Sequence, residues 1–114
     1  MQLTFFETRS FTASLPEYLS DAEYRELQQD LLVNPTAGDL MPGTGGFRKM
    51  RWADARRGKG KRGGLRIIYY FLSPDRQVWM FAIYDKDEMA DLSPAEKKGL
   101  KAAIEAELKL RGRR

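Results

Sequence analysis

Cysteine and histidine are both absent from this chain of 114 residues. Without cysteine there is no disulfide and no thiolate metal site, and the redox compartment stays open. Without histidine the commonest general base and the commonest metal ligand are missing. No apolar run approaches the roughly 20 residues of a transmembrane span. The opening MQLTFFETRS lacks the basic-then-apolar order of a signal peptide, so a cytoplasmic location is expected, with no membrane partner. The length suits one domain, 1–114, closing a single core. Its 42% apolar and 32% charged content lies within the soluble globular range.

What the chain does have is segregated charge. The stretch RRGKGKRGGLR, beginning at Arg56, holds six cations and four glycines. Between residues 48 and 66 nine Lys or Arg face the single acid Asp54, a local charge of +8; the other eleven basic and fifteen acidic residues leave −4. Charge concentrated this way suits a polyanion, because each phosphate contact releases condensed counterions. The plainer alternative is a solvated basic loop.

Local patterns say what the loop is mounted on. Residues 2–7 read as a strand, with Leu3 and Phe5 on one face and Phe6 on the other. Ser20-Asp21-Ala22-Glu23 has the form of a capping box. Behind it Tyr24, Leu27 and Leu31 recur at helical spacing until Asn34-Pro35 stops the helix. An earlier helical turn is expected over 11–19, broken or re-aimed near Pro16, and 39–46 reads as loop. Then the period changes. Phe47-Arg48-Lys49-Met50-Arg51-Trp52 alternates, placing Lys49 and Arg51 on one face, Met50 and Trp52 on the other. Residues 66–72 are apolar on both faces, as in a central strand. Ser73-Pro74-Asp75-Arg76 is a tight turn, and 77–84 return. Ser93 to Glu96 is a second capping box, with Pro94 at the first helical position. It opens a helix striped by Leu100, Ala103, Ile104 and Leu108. The order predicts a small α+β fold. A mostly antiparallel sheet carries an N-terminal helix or helical hairpin and a C-terminal helix, packed on one face.

In a meander the end of one strand lies beside the start of the next. Lys49 and Arg51 therefore converge with Arg66, while Lys86 lies just past the third strand. These strand cations form a rigid floor able to position a phosphate. Arg48, Arg56, Arg57, Lys59, Lys61 and Arg62 form a rim that adds attraction but little geometry. Each signal has a plainer reading. Lys49 and Arg51 equally mark the wet face of a sheet. Tyr69, Tyr70 and Tyr84 suit sheet packing, or one stacks on a base. Gly43-Thr44-Gly45-Gly46 is a turn or an anion cradle, and no Gly-Lys-Ser/Thr follows it, so a nucleotide-binding P-loop is not supported. The acidic run Asp85, Asp87, Glu88 and Asp91, interrupted by Lys86 and without histidine, reads as a solvated connection. No metal site and no cofactor are expected.

GTGGFRKMRW, KGKRGGLRIIYYF and IYDKDEMADLS together resemble the HigB-type toxins of the RelE/ParE superfamily, from type II toxin–antitoxin modules. The likeness runs through nearly the whole chain. It implies a RelE-like fold and a ribosome-dependent endoribonuclease that cuts mRNA in the decoding site. It further implies a HigA-type helix-turn-helix antitoxin as partner, with the 70S ribosome and mRNA as targets and operator DNA reached only through the antitoxin complex. The resemblance matches Lys49 and Arg51 to a basic pair on the second strand, Arg66 to the arginine opening the next, and Lys86 to a cation after the last strand. Where some relatives carry a tyrosine in the final segment this chain has Leu92, so Tyr84 or a lysine would have to substitute.

The chemistry then expected is attack by the RNA 2′-hydroxyl on its adjacent phosphate, giving a 2′,3′-cyclic phosphate and a 5′-hydroxyl. Arg51 and Arg66 would stabilise charge on the phosphate. Lys49 is a candidate base, because neighbouring cations disfavour its charged form, and Lys86 a candidate acid or further clamp; the two roles are interchangeable. Two rivals stand beside this reading: a ParE-type gyrase-inhibiting toxin, and a non-catalytic RNA-binding module whose cations only hold phosphates.

Overall fold

In the computed structural model, which describes residues 2–58, 60, 64–87 and 92–112, the chain runs β1 (Thr4–Glu7), α1 (Arg9–Tyr18), α2 (Asp21–Val33), β2 (Asp39–Leu40), β3 (Arg48–Trp52), β4 (Leu65–Leu72), β5 (Gln77–Asp85) and α3 (Pro94–Leu110). Both capping boxes form: Ser20 accepts from the Glu23 amide and Ser93 from the Glu96 amide, and each glutamate closes back on its cap. The first helix starts earlier than expected because Thr8 caps it, its hydroxyl accepting from the Phe11 amide at 3.1 Å. It also runs through Pro16 to Tyr18. The hydrogen bond that proline forfeits falls on an exposed turn, where its loss leaves no buried carbonyl unpaired. The expected loop over 39–46 contains the two-residue strand β2, which pairs antiparallel with β3.

Five strands form one sheet in the order β1-β5-β4-β3-β2, antiparallel except where β1 lies parallel to β5. Its middle strand is β4, which is why LRIIYYFL carries bulky apolar residues on both faces. The helices do not share a face, contrary to the sequence expectation. Phe11, Leu19, Leu27 and Leu31 from α1 and α2 pack with Met50, Trp52, Ile67, Tyr69, Val78 and Met80 on one side. On the other, Ile104, Leu100 and Leu108 of α3 pack with Phe47, Ile68, Tyr70, Phe81 and Tyr84. Apolar residues on both faces of β4 need two covers, and one hairpin supplies only one. Ala103, placed in the stripe of α3 from spacing, is exposed. The register of β4 and β5 slips by one residue: Ile68 opposes Ala82, but Tyr69 opposes Met80. The extra residue, Phe81, is a β-bulge that lets Phe81 and Ala82 both face α3.

Tyr69 fastens the first core to the chain leading into β2. Its hydroxyl accepts from the Gly38 amide (2.9 Å) and donates to the Pro35 carbonyl (2.8 Å). Burial raises its pKa, as it does for Tyr70, above the ordinary 10.0. Tyr24 is raised by burial and then by its hydrogen bond to Glu7. These phenols hold their protons more tightly folded than unfolded. Their stabilisation is therefore complete below about pH 10 and declines as pH climbs through the raised values. Urea midpoints measured from pH 8 to 11 are expected to fall above pH 10, and to fall less steeply in Tyr69→Phe. That variant also strands two buried backbone groups, at a cost of about 1–3 kcal/mol at neutral pH. Equal slopes in the two proteins would remove Tyr69 from the account. Among the described residues, no helix is long and apolar enough to cross a membrane.

Candidate phosphate-binding and catalytic site

The alternation of β3 and the pairing of β4 with both neighbours gather the strand cations. Arg51 is the cross-strand partner of Arg66, and Arg66 in turn of Tyr84. Directly opposed residues share a face with Cβ atoms roughly 5 Å apart, so these three form one row across three strands. Lys49 lies in the next row, opposite Ile68, on the same face. Lys86 follows the end of β5, and its amide donates to the Gly64 carbonyl at 3.3 Å, so the exit of β5 abuts the entry of β4. The face is the one that carries α3. Arg51 and Lys86 are exposed and Lys49 and Arg66 half-buried, while Tyr84 is only 4% exposed and packs against the cluster beneath α3. The floor predicted from the strands thus assembles from Lys49, Arg51 and Arg66, with Lys86 at its edge and the Tyr84 ring as its inner wall.

Two cations expected on the rim have other work. Arg48 falls in alternation with Met50 and Trp52, on the face opposite Lys49. Its guanidinium donates to the carbonyls of Gly38 (2.8 Å) and Thr36 (3.3 Å) and so ties down the turn before β2. Arg56 meets Asp54 through a two-pronged contact, Nε to Oδ1 and Nη2 to Oδ2, both 2.9 Å. Lys59, Lys61 and Arg62, like Glu88 and Asp91 of the acidic run, lie outside the described residues, and Arg57 is described in its backbone alone.

Asp54 and Asp85 were not singled out as site residues, yet both are completely buried. Asp85, expected in a solvated acidic connection, accepts from the Asp87 amide (2.7 Å) and lies 3.8 Å from Arg56. A signal for Asp54 was present: it is the lone acid among nine cations. The loop re-enters β4 at Gly64, whose backbone leaves no room for a side chain. A Cβ there would meet the Asp54 amide nitrogen at 2.9 Å and crowd the Trp52 and Gly60 carbonyls. The Gly43-Thr44-Gly45-Gly46 segment is a packed turn. Its buried Thr44 hydroxyl donates to the Met41 carbonyl (2.7 Å) and accepts from the Phe47 amide (3.1 Å). Gly46, at φ 118°, lets the backbone pass against the Tyr70 ring.

A row of arginines flanked by lysines can hold a phosphodiester, stabilise charge developing on it, and move protons through an amine. No protein-family model matches the chain. Among solved structures it is similar to the E. coli toxin RelE in the free state, in a form with two arginine-to-alanine substitutions. The match covers 91% of this chain and 98% of that one, at 14% identity and a TM-score of 0.52. At that identity the likeness is one of fold: α+β, with a mostly antiparallel sheet and a C-terminal helix, in the RelE manner.

Proposed function

We propose that this chain is the toxin of a type II toxin–antitoxin module and cleaves mRNA in the decoding site of the translating ribosome, in the bacterial cytoplasm. The observation that carries the reading is the Arg51–Arg66–Tyr84 row, with Lys49 and Lys86 at its margins, on a fold similar to that of the E. coli toxin RelE. The sequence resemblance supports the HigB type as the subgroup, with a HigA-type antitoxin as partner.

In this mechanism the RNA 2′-oxygen attacks the adjacent phosphorus, the bond to the 5′-oxygen breaks, and a 2′,3′-cyclic phosphate forms. Arg66 and Arg51 bind the non-bridging oxygens, where negative charge grows in the transition state. One of Lys49 and Lys86 takes the 2′-hydroxyl proton and the other returns one to the departing 5′-oxygen. Tyr84 walls the row and limits the positions a phosphate can take. Arg57, Lys59, Lys61 and Arg62 supply attraction along the RNA backbone. An open cation floor on one sheet face does little to bend a strand for in-line attack; the ribosome, which already holds the mRNA in shape, supplies that geometry.

Primer extension on translating ribosomes tests the reading, with ribosome-free mRNA as control. Cuts confined to decoding-site codons, and to reactions containing ribosomes, are expected. Intact mRNA from folded, antitoxin-free protein would sink the nuclease reading and turn attention to gyrase.

A further inference from the structure

Arg56 carries more fixed contacts than any role at an RNA-facing rim requires. Besides its fork on Asp54, Nη1 donates to the Glu17 carbonyl at 2.7 Å, at the C-terminal end of α1. Its guanidinium carbon lies 4.6 Å from the centre of the Tyr18 ring. Nη2 also faces Asp85 Oδ2 at 3.8 Å. Three segments thus converge on one planar group: the end of α1, the exit of β3 at Asp54, and the end of β5. The two carboxylates are fully buried while the Arg56 side chain is 38% exposed, so the acids are held inside and the cation closes over them. Buried carboxylates need such a partner, and the planar fork suits arginine over lysine.

We infer that Arg56, with Asp54 and Asp85, is a positioning residue for the cleavage site and not one of its RNA contacts. The inference rests on the function proposed above. Asp85 lies between Tyr84, in the cation row, and Lys86, at its edge, and pairs across the sheet with Leu65, beside Arg66. Fixing Asp85 against Arg56 fixes where Lys86 leaves the sheet. Fixing Asp54 sets where the basic loop leaves β3, next to Arg51. One guanidinium therefore sets the spacing between proton-transferring and phosphate-binding groups drawn from different strands.

The test compares wild type, Arg56→Ala and Arg56→Lys, each first checked for folding by thermal melting. Arg56→Lys keeps a charge beside Asp54 and remains readable if alanine prevents folding. With programmed ribosomes, the saturated cleavage rate is expected to fall at least about tenfold in both variants while the half-saturating concentration stays within about twofold, because geometry is lost and affinity is not. The slope of log binding constant against log salt is expected to be unchanged in both. Amide exchange at Lys86 and Asp87 should rise about tenfold, with Val78 and Met80, at the other end of β5, still protected. A slope reduced by about one in Arg56→Ala, with a wild-type rate in Arg56→Lys, would instead make Arg56 a phosphate contact and overturn the inference. Unchanged exchange at Lys86 and Asp87 would overturn it too. Should wild type itself not cleave, the nuclease reading fails and the exchange data alone judge the clamp.

Discussion

Arg66→Ala is expected to stop mRNA cleavage on translating ribosomes while leaving the protein folded and ribosome-bound. Arg66 is the second residue of the central strand, with Arg51 opposite on one side and Tyr84 on the other. Of the row's two guanidiniums it is the one with partners on both flanks, and being half-buried it is better shielded from water than Arg51. Shielding strengthens its interaction with a phosphate in the transition state, and its strand position means little reorganisation on binding. Loss of one such donor typically costs about 10²–10³ in rate. Ribosome binding, spread over the loop cations, should weaken severalfold at most. Arg66→Lys keeps the charge but not the fork, and should fall between wild type and alanine. Single-turnover cleavage and pelleting with ribosomes, run on the same preparations, give both quantities. Parallel loss of the two would mean that Arg66 binds RNA and contributes nothing further to the chemical step.

The largest expected loss of stability comes from Phe47→Ala. Phe47 is fully buried under α3, its ring edge-on to Phe81 at 4.6 Å between centroids and to Tyr70 at 5.3 Å. Removing an aromatic ring from such a site costs about 3–5 kcal/mol, a large part of the roughly 5–15 kcal/mol that holds a domain of this size. The loss should be felt first in α3, which contributes Ile104 as its one fully buried side chain. At its far end α3 is held by Arg111, which bridges Asp75 (3.1 Å) and stacks over Trp79. A single, partly buried contact of this sort at the helix end cannot replace the cluster. Urea unfolding is expected to show the lowered midpoint, and amide exchange to show α3 opening before β4. A cost below about 1 kcal/mol would mean that the face under α3 collapses around the gap or was loosely packed from the start.

If Arg66 and Phe47 behave as expected, the site and its cover depend on residues that differ greatly in how legible they are. Lys49 and Arg51 could be placed on one face from period alone, because a two-residue repeat assigns faces without knowledge of the fold; Arg66 joined them only through the meander that sets the start of one strand beside the end of the last. The same repeat put Arg48 with Met50 and Trp52, a sign of its structural role that its charge obscured. Arg56 gave no such sign. In sequence it is one cation among six in a glycine-rich run, and its role shows only where Asp54, just past β3, and Asp85, at the end of β5, are buried against it.

The sequence by itself determined what depends on neighbours a few residues away. The two capping boxes, the stop at Asn34-Pro35, the alternation of β3, the double-faced apolar β4 and the concentration of charge all come from local sterics, hydrogen bonding and composition. Only the tertiary structure decided the rest. It set β1 parallel beside β5, put α3 on the face opposite α1 and α2, inserted the bulge at Phe81, and buried Asp54 and Asp85 around Arg56. Apart from the Asp54–Arg56 fork, which joins residues two apart, each of those is a choice between long-range partners that local pattern leaves equivalent. It is resolved when both faces of the sheet have to be covered and every buried charge has to be paired.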